Sequence, residues 1–136
     1  MFMLKKINNP KVSLILPTLN ESGSLTPLVN DLVSKVNPRE IIIVDDSSTD
    51  GTAAEAEKLI KKYKTIRFIT NSPPLGLTGS IQKGIDSSSS ALVAWMDADF
   101  SHPPQTLKKM LDKINLLLYI RVLFKSNSCT KYAASV

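Results

Sequence analysis

Two carboxylates one residue apart, Asp97 and Asp99, sit inside the stretch ALVAWMDADFSHPP that runs from Ala91 to Pro104. They are the only charged side chains between Asp86 and Lys108. They follow directly on an apolar run, Ala91 to Met96, of the kind that forms a strand buried on both faces. Acids placed where such a strand leaves the core suit a hard divalent cation, Mg2+ or Mn2+, because carboxylate and hydroxyl oxygens without thiol or imidazole partners match that chemistry. Magnesium takes one or two carboxylates and completes its shell with water and substrate phosphates. Asp99 is therefore the candidate direct ligand, Asp97 a ligand through water, and Ser101, two residues on, a further oxygen. The competing role is purely structural: Asp99 or Ser101 could cap a helix starting near Pro104, although one cap does not require two acids. His102, followed by two prolines, reads as a loop histidine and not as a ligand.

Four apolar runs must position these residues: Val12–Leu16, Ile41–Val44, Ile66–Thr70 and Leu92–Met96. They are short, rich in Ile, Val and Leu, and mostly do not alternate, as expected of strands in a parallel sheet covered on both sides. Between them lie helical patterns. Leu25, Leu28, Val29, Leu32, Val33 and Val36 form an amphipathic stripe, with Ser24 as the expected N-cap. Asp50 is placed to cap a second helix reaching Lys62, with Leu59, Ile60 and Tyr63 as its inner face. A third helix spans about Leu77 to Ile85. A fourth starts near Pro104 and carries Leu107, Met110, Leu111 and Ile114. Strand–helix alternation of this kind implies an α/β fold with a parallel sheet and right-handed crossovers.

Ligands of such sheets bind beyond the carboxyl ends of the strands, at the switch in strand order. The segments following the four runs are PTLNESGS, DDSSTDG, NSPPLG and DADFSHPP. Three of them bring acids to that edge: Glu21, Asp45 with Asp46, and Asp97 with Asp99. Like charges gathered on one rim are costly unless something positive joins them, which again points to a cation. For Asp45 the competing reading is an Asx turn in DDSSTDG. Asp46 stands where many nucleotide folds bind ribose or base. The chain has no G-x-G-x-x-G after its first strand and no G-x-x-x-x-G-K-S/T. The phosphates of a nucleotide would be neutralised mainly by metal, with help from backbone amides near Gly76–Gly79 at a helix start.

Composition narrows the class. The chain has 136 residues, 43% hydrophobic and 21% charged, ordinary for one globular domain or part of one. No apolar run approaches the roughly 20 residues of a membrane span. Cys129 and His102 are single, so an internal disulfide and a multi-histidine zinc site are both excluded, and a cytoplasmic location is expected. The net charge of +5 arises entirely from Lys108 onward; residues 1–107 carry eleven basic and eleven acidic side chains. A solvated helix face and tail account for this excess. Contact with an anionic membrane face is the alternative, and no nucleic-acid partner is expected.

Four motifs in order, VSLILPTLNES, EIIIVDDSSTDGT, LGLTGSIQKGI and WMDADFSHPP, resemble the N-terminal motifs of family-two inverting glycosyltransferases with the GT-A fold. The phrase MDADFSHPP and its distance from GLTGS look most like the N-terminal half of polyprenol-phosphate (dolichol-phosphate) mannosyltransferases. The resemblance covers residues 11 to about 115. It implies a nucleotide-diphospho-sugar transferase fold in which Pro17, Leu19, Glu21, Val44 and Asp46 line the nucleotide of the donor and Asp97, Ala98 and Asp99 meet metal and diphosphate. It implies GDP-mannose as donor, a polyprenyl phosphate as acceptor and Mg2+ or Mn2+ as cofactor. Leu19 departs from the aromatic residue of relatives, which leaves a UDP-sugar open as donor. The expected organisation is an N-terminal extension (1–10), a donor-binding region (11–115) and a divergent tail (116–136), in which Leu116–Phe124 continues the fourth helix over exposed core. The family continues for about as many residues again, so the chain is expected to be a truncated donor-binding half whose own activity stays open; a non-catalytic nucleotide-binding or interaction module is the rival reading. A haloacid-dehalogenase-type phosphotransferase would need a further acidic pair after Asp99, where only Asp112 occurs.

Overall fold

A computed structural model describes residues 11–122 and 132–135, with side chains placed for residues 11–114. The expected N-terminal extension therefore lies outside the described residues. Strands and helices alternate: β1 (Val12–Thr18), α1 (Leu25–Lys35), β2 (Glu40–Asp45), α2 (Thr52–Lys62), β3 (Ile66–Thr70), α3 (Gly76–Ser87), β4 (Leu92–Trp95), α4 (Pro104–Val122) and β5 (Tyr132–Ser135). The sheet has the order β3-β2-β1-β4-β5, and every pairing is parallel. Strand order thus reverses between β1 and β4. Ser13 to Thr18 pair in register with Glu40 to Asp45, and Val12 to Ile15 with Leu92 to Trp95.

The period of the strands divides the core in two. Leu14, Leu16, Ile41, Ile43, Ala94 and Met96 pack with α1, α2 and α4 on one face. Ile15, Ile42, Val44 and Val93 pack on the other, against Ile85 of α3. Burying each Leu or Ile side chain in these layers is worth about 1.5–3 kcal/mol, which is why unbroken apolar runs dictate strands covered on both sides. The stripe on α1 buries Leu25, Leu28, Val29 and Leu32. The helix stops where Asn37 turns left-handed at φ 51°, with Pro38 next, a combination that cannot continue a helix.

Two expectations change. On α2 Ala56 and Leu59 are buried and Tyr63, at its C-terminal end, packs partly buried on the same core, whereas Ile60 is exposed, because it lies about 100° round the helix from Leu59. Ser24 makes no side-chain cap on α1. The edge of β4 is occupied by β5. The apolar segment after Asn115 extends α4 as far as Val122, as expected; residues 123–131 lie outside the described residues. Among the described residues no helix is long and apolar enough to cross a membrane.

Candidate functional site

A cleft of about 290 Å³ opens at the carboxyl ends of β1, β2 and β4, where the strand order reverses. Its walls are Pro17, Thr18, Leu19 and Glu21 after β1, Asp46 after β2, Gly76, Leu77 and Ser80 at the start of α3, and Asp97, Ala98 and Asp99 after β4. Seven of the eight residues expected at a donor site thus share one cavity. Val44 does not: it is fully buried beneath the cleft with Ile15 and Ile42. Ser101 also lies off the cleft wall. Thr18 and Ser80 were not expected there; Gly76 and Leu77 belong to the Gly76–Gly79 helix start already expected near the phosphates.

Each acid has a distinct environment. Asp45 accepts hydrogen bonds from Thr18 Oγ1 (2.9 Å), Ser48 N (2.9 Å) and Ser48 Oγ (2.5 Å), the geometry of an Asx turn. Asp46 is buried and accepts from Leu75 N (2.7 Å), Asn71 Nδ2 (2.9 Å) and Gly76 N (2.9 Å). These donors, led by the Leu75 N–H, hold its carboxyl below the usual range. The backbone amides of Leu75 and Gly76 therefore serve Asp46 instead of facing a ligand; of the Gly76–Gly79 amides expected near a phosphate, that of Gly76 is taken in this way. Asn71 is itself fixed by Ser80 Oγ and by Lys83 Nζ, which donates to its Oδ1 at 3.0 Å.

Phe100 adopts a left-handed φ of 65°, turning the chain so that Ser101 N (2.8 Å) and Ser101 Oγ (2.6 Å) both donate to Asp99. Those bonds, the hydroxyl first, lower the Asp99 pKa, so the exposed carboxylate is ionised at neutral pH. Neither Asp99 nor Ser101 caps α4 by a side-chain bond to its amides; Thr106 N bonds Pro103 O instead. Glu21 is half-buried, and its pKa is raised, by burial first and then by the charges of Asp99, Asp97 and Asp50 against a lowering bond from Ser24. The Ser24 hydroxyl reaches Ala98 O at 2.8 Å and Glu21 O at 3.0 Å. It ties the loop after β1 to the loop after β4.

Glu21, Asp46, Asp97 and Asp99 thus give the cleft four carboxylates, and among its described lining residues there is no cation. The mutual repulsion recorded at Glu21 is relieved when a cation enters. The donors are all oxygens, as Mg2+ or Mn2+ prefers. Among the described residues no trio of His, Cys, Asp or Glu forms a cage, but an ion completing its shell from water and phosphate needs only one or two carboxylates. The residues fit such an ion.

Residues 13–122 match the family described as glycosyl transferase family 2. The chain belongs to that family. Among its relatives, the dolichol-phosphate mannosyltransferase of Saccharomyces cerevisiae is 31% identical over 108 residues, covering 76% of this chain and 40% of the relative. That of Pyrococcus furiosus is 35% identical over 107 residues, covering 76% and 30%. The dodecaprenyl-phosphate galacturonate synthase of Rhizobium johnstonii is 32% identical over 113 residues, covering 79% and 33%. The chain spans well under half the length of each of these relatives. Among solved structures, S. aureus TarS 1-349 in complex with UDP-GlcNAc superposes with a TM-score of 0.66 at 27% identity, covering 78% of this chain and 31% of TarS. A mannosyltransferase from Pyrobaculum calidifontis, in complex with GDP-Man and Mn2+, shares the fold with a TM-score of 0.66 at 19% identity, over 78% of this chain and 33% of that one. The sheet order and helix placement are those of the GT-A glycosyltransferases.

Proposed function

We propose that this chain forms the donor-binding side of an inverting glycosyltransferase that moves a sugar from a nucleoside diphosphate, GDP-mannose as first choice, to a polyprenyl phosphate. The observation that carries the reading is the convergence of Glu21, Asp46, Asp97 and Asp99 with Pro17 and Leu19 in one cleft at the strand switch. The names of the relatives support the acceptor: dolichol phosphate and dodecaprenyl phosphate are both polyprenyl phosphates, while the sugars differ. A UDP-sugar is the second reading for the donor, favoured by the 27%-identical TarS complex with UDP-GlcNAc and by Leu19, 57% exposed at the cleft rim.

In the reaction, an oxygen of the acceptor phosphate forms a bond to the anomeric carbon as that carbon's bond to the diphosphate breaks. The bonding pair leaves with the diphosphate, and the configuration inverts. The acceptor phosphate is already ionised at neutral pH, so no residue need remove a proton. Asp99, with Asp97, would hold Mg2+ or Mn2+; bound there, the ion supplies Lewis-acid stabilisation of the charge growing on the departing diphosphate. Leu19 and Pro17 present apolar surface to the nucleoside. Asp46 lines the cleft and keeps the start of α3 in place through Leu75 N and Gly76 N.

Calorimetry with GDP and UDP, with and without manganese, tests the site. Asp99→Asn removes a charged oxygen facing the cleft and should weaken manganese-dependent nucleotide binding at least about tenfold. Asp97→Asn should weaken it less. Wild-type affinity in both variants would show that the metal and diphosphate lie elsewhere.

A further inference from the structure

Glu55 lies in the first turn of α2, yet its carboxylate serves another helix. Oε1 accepts from Gly23 N (2.5 Å) and Ser22 Oγ (3.1 Å); Oε2 accepts from Thr26 N (3.2 Å) and Thr26 Oγ1 (2.8 Å). Gly23 precedes α1 and Thr26 lies in its first turn, where backbone N–H groups have no partner inside the helix. Ser24, the residue expected to cap them, has its hydroxyl on Ala98 O instead. A carboxylate from a neighbouring element takes over that duty and also complements the positive end of the α1 dipole.

The contact is one part of a wider strap. Asp50 Oδ2 accepts from Ser22 N (3.0 Å), Thr52 Oγ1 accepts from Glu21 N (2.9 Å), Ser48 Oγ accepts from Asn20 N (2.8 Å), and Asn20 Oδ1 accepts from Thr49 N (2.9 Å). Asn20, Glu21, Ser22, Gly23 and Thr26 of this loop are each bonded to the β2–α2 side. Glu21 is the residue of this loop that needs restraint: it is half-buried on the cleft wall, facing Asp97 and Asp99 across the gap. Like charges and incomplete hydration both favour its escape to solvent.

We propose that Glu55 is a positioning residue that holds Glu21 in the cleft, acting through the β1–α1 loop without touching nucleotide or cation. Its effect on ligand binding rests on the donor-site reading above; its effect on the loop does not. Loss of Glu55 frees Gly23 and Thr26, the loop lifts, and Glu21 leaves the wall.

Two measurements on the full chain decide this. In the ligand-free protein, amide hydrogen exchange should quicken about tenfold or more at Gly23 and Thr26 in Glu55→Ala, and also at Glu21, whose amide bonds Thr52 and not Glu55. Core amides of β1 and β2 should keep wild-type protection. Unchanged protection at Glu21 would reduce Glu55 to a local cap and overturn the proposal. Glu55→Gln, which keeps the length and one acceptor oxygen, should lie between wild type and alanine, and it carries the same readout should the alanine variant fail to fold. The second measurement is calorimetry with manganese plus GDP or UDP in a double-mutant cycle. Glu55→Ala should weaken binding about tenfold in the wild type and hardly at all in Glu21→Gln. Equal losses in both backgrounds would overturn the link to Glu21. Should the wild type bind neither nucleotide, the donor-site reading falls, and exchange at Glu21 still decides the role of Glu55.

Discussion

The Asp46 carboxylate accepts from three donors in the structure, and the Ser80 hydroxyl also lowers its pKa, so its roughly four acceptor positions are largely taken up by the protein itself. Asp46→Asn keeps the shape but turns an N–H toward one set of those donors whichever way the amide faces. A buried mismatch of this kind costs about 1–3 kcal/mol. The urea midpoint should fall accordingly, and nucleotide affinity should drop even in EDTA; an unchanged midpoint would mean that the three bonds contribute nothing. Asp45→Ala should loosen the Ser48 turn and leave nucleotide affinity near wild type. Glu40 is the opposite case, at the far end of the sheet. It accepts from Ser13 Oγ (2.6 Å), Ser89 N (2.7 Å), Ser89 Oγ (2.7 Å) and Arg67 Nη1 (3.3 Å). Burial raises its pKa, but those donors outweigh it and bring it from 4.5 to about 2. A folded pKa below the unfolded one contributes stability that is complete above about pH 4.5 and lost as pH falls toward 2, on the order of 3 kcal/mol. Urea unfolding between pH 6 and pH 2 should show that loss, and Glu40→Gln should flatten its share of the slope.

At the scale of elements, α3 carries the part of the cleft that the sequence marks least clearly. Gly84 lets it lie close on β1: a Cβ there would stand 2.5 Å from Ile15 Cγ2, and Ile15 is fully buried. Gly84→Ala should therefore cost about 1–3 kcal/mol by overpacking. It should also weaken nucleotide binding by displacing Gly76 and Leu77 from the cleft wall. A wild-type melting temperature would mean that α3 shifts freely. The four strands at the heart of the sheet were legible because runs such as Ile41–Val44 admit little else, and the stripe on α1 was legible for the same reason. β5 was not, since Tyr-Ala-Ala-Ser carries almost no strand signal and takes its place only because the β4 edge offers hydrogen bonds. The acids of the cleft were legible from their places after strands. Their supports were not: the bond from Ser24 to Ala98 spans 74 positions and that from Thr26 to Glu55 spans 29, and no local pattern signals a cap supplied by another helix. Local spacing named Ser24 as a cap, and long-range geometry assigned its hydroxyl elsewhere.

At the scale of the whole molecule, the described residues form one wall of the cleft. Loops after three parallel strands and the start of one helix surround the place for a donor, and the chain spans 30–40% of the relatives named above. Transfer needs more than a bound donor, because the acceptor oxygen must be held about 3–3.5 Å from the anomeric carbon on the face away from the diphosphate. Among the described lining residues the cleft offers four carboxylates and no cation, a surface that repels a lipid phosphate unless positive groups lie opposite. Residues 1–136 alone should therefore bind GDP in a manganese-dependent way yet transfer little or no mannose from GDP-mannose to a polyprenyl phosphate. The two properties separate cleanly in one preparation: calorimetry reads the first, and a radiolabelled transfer assay, with an intact relative as positive control, reads the second. Robust turnover by a monomer of this length, established by sedimentation, would mean that residues 116–136 supply an acceptor site. Turnover only in an associated state would place the second wall on a neighbouring copy. Binding without turnover is the outcome the one-sided cleft requires, since stabilising a leaving diphosphate accelerates nothing until an acceptor is held in line with it.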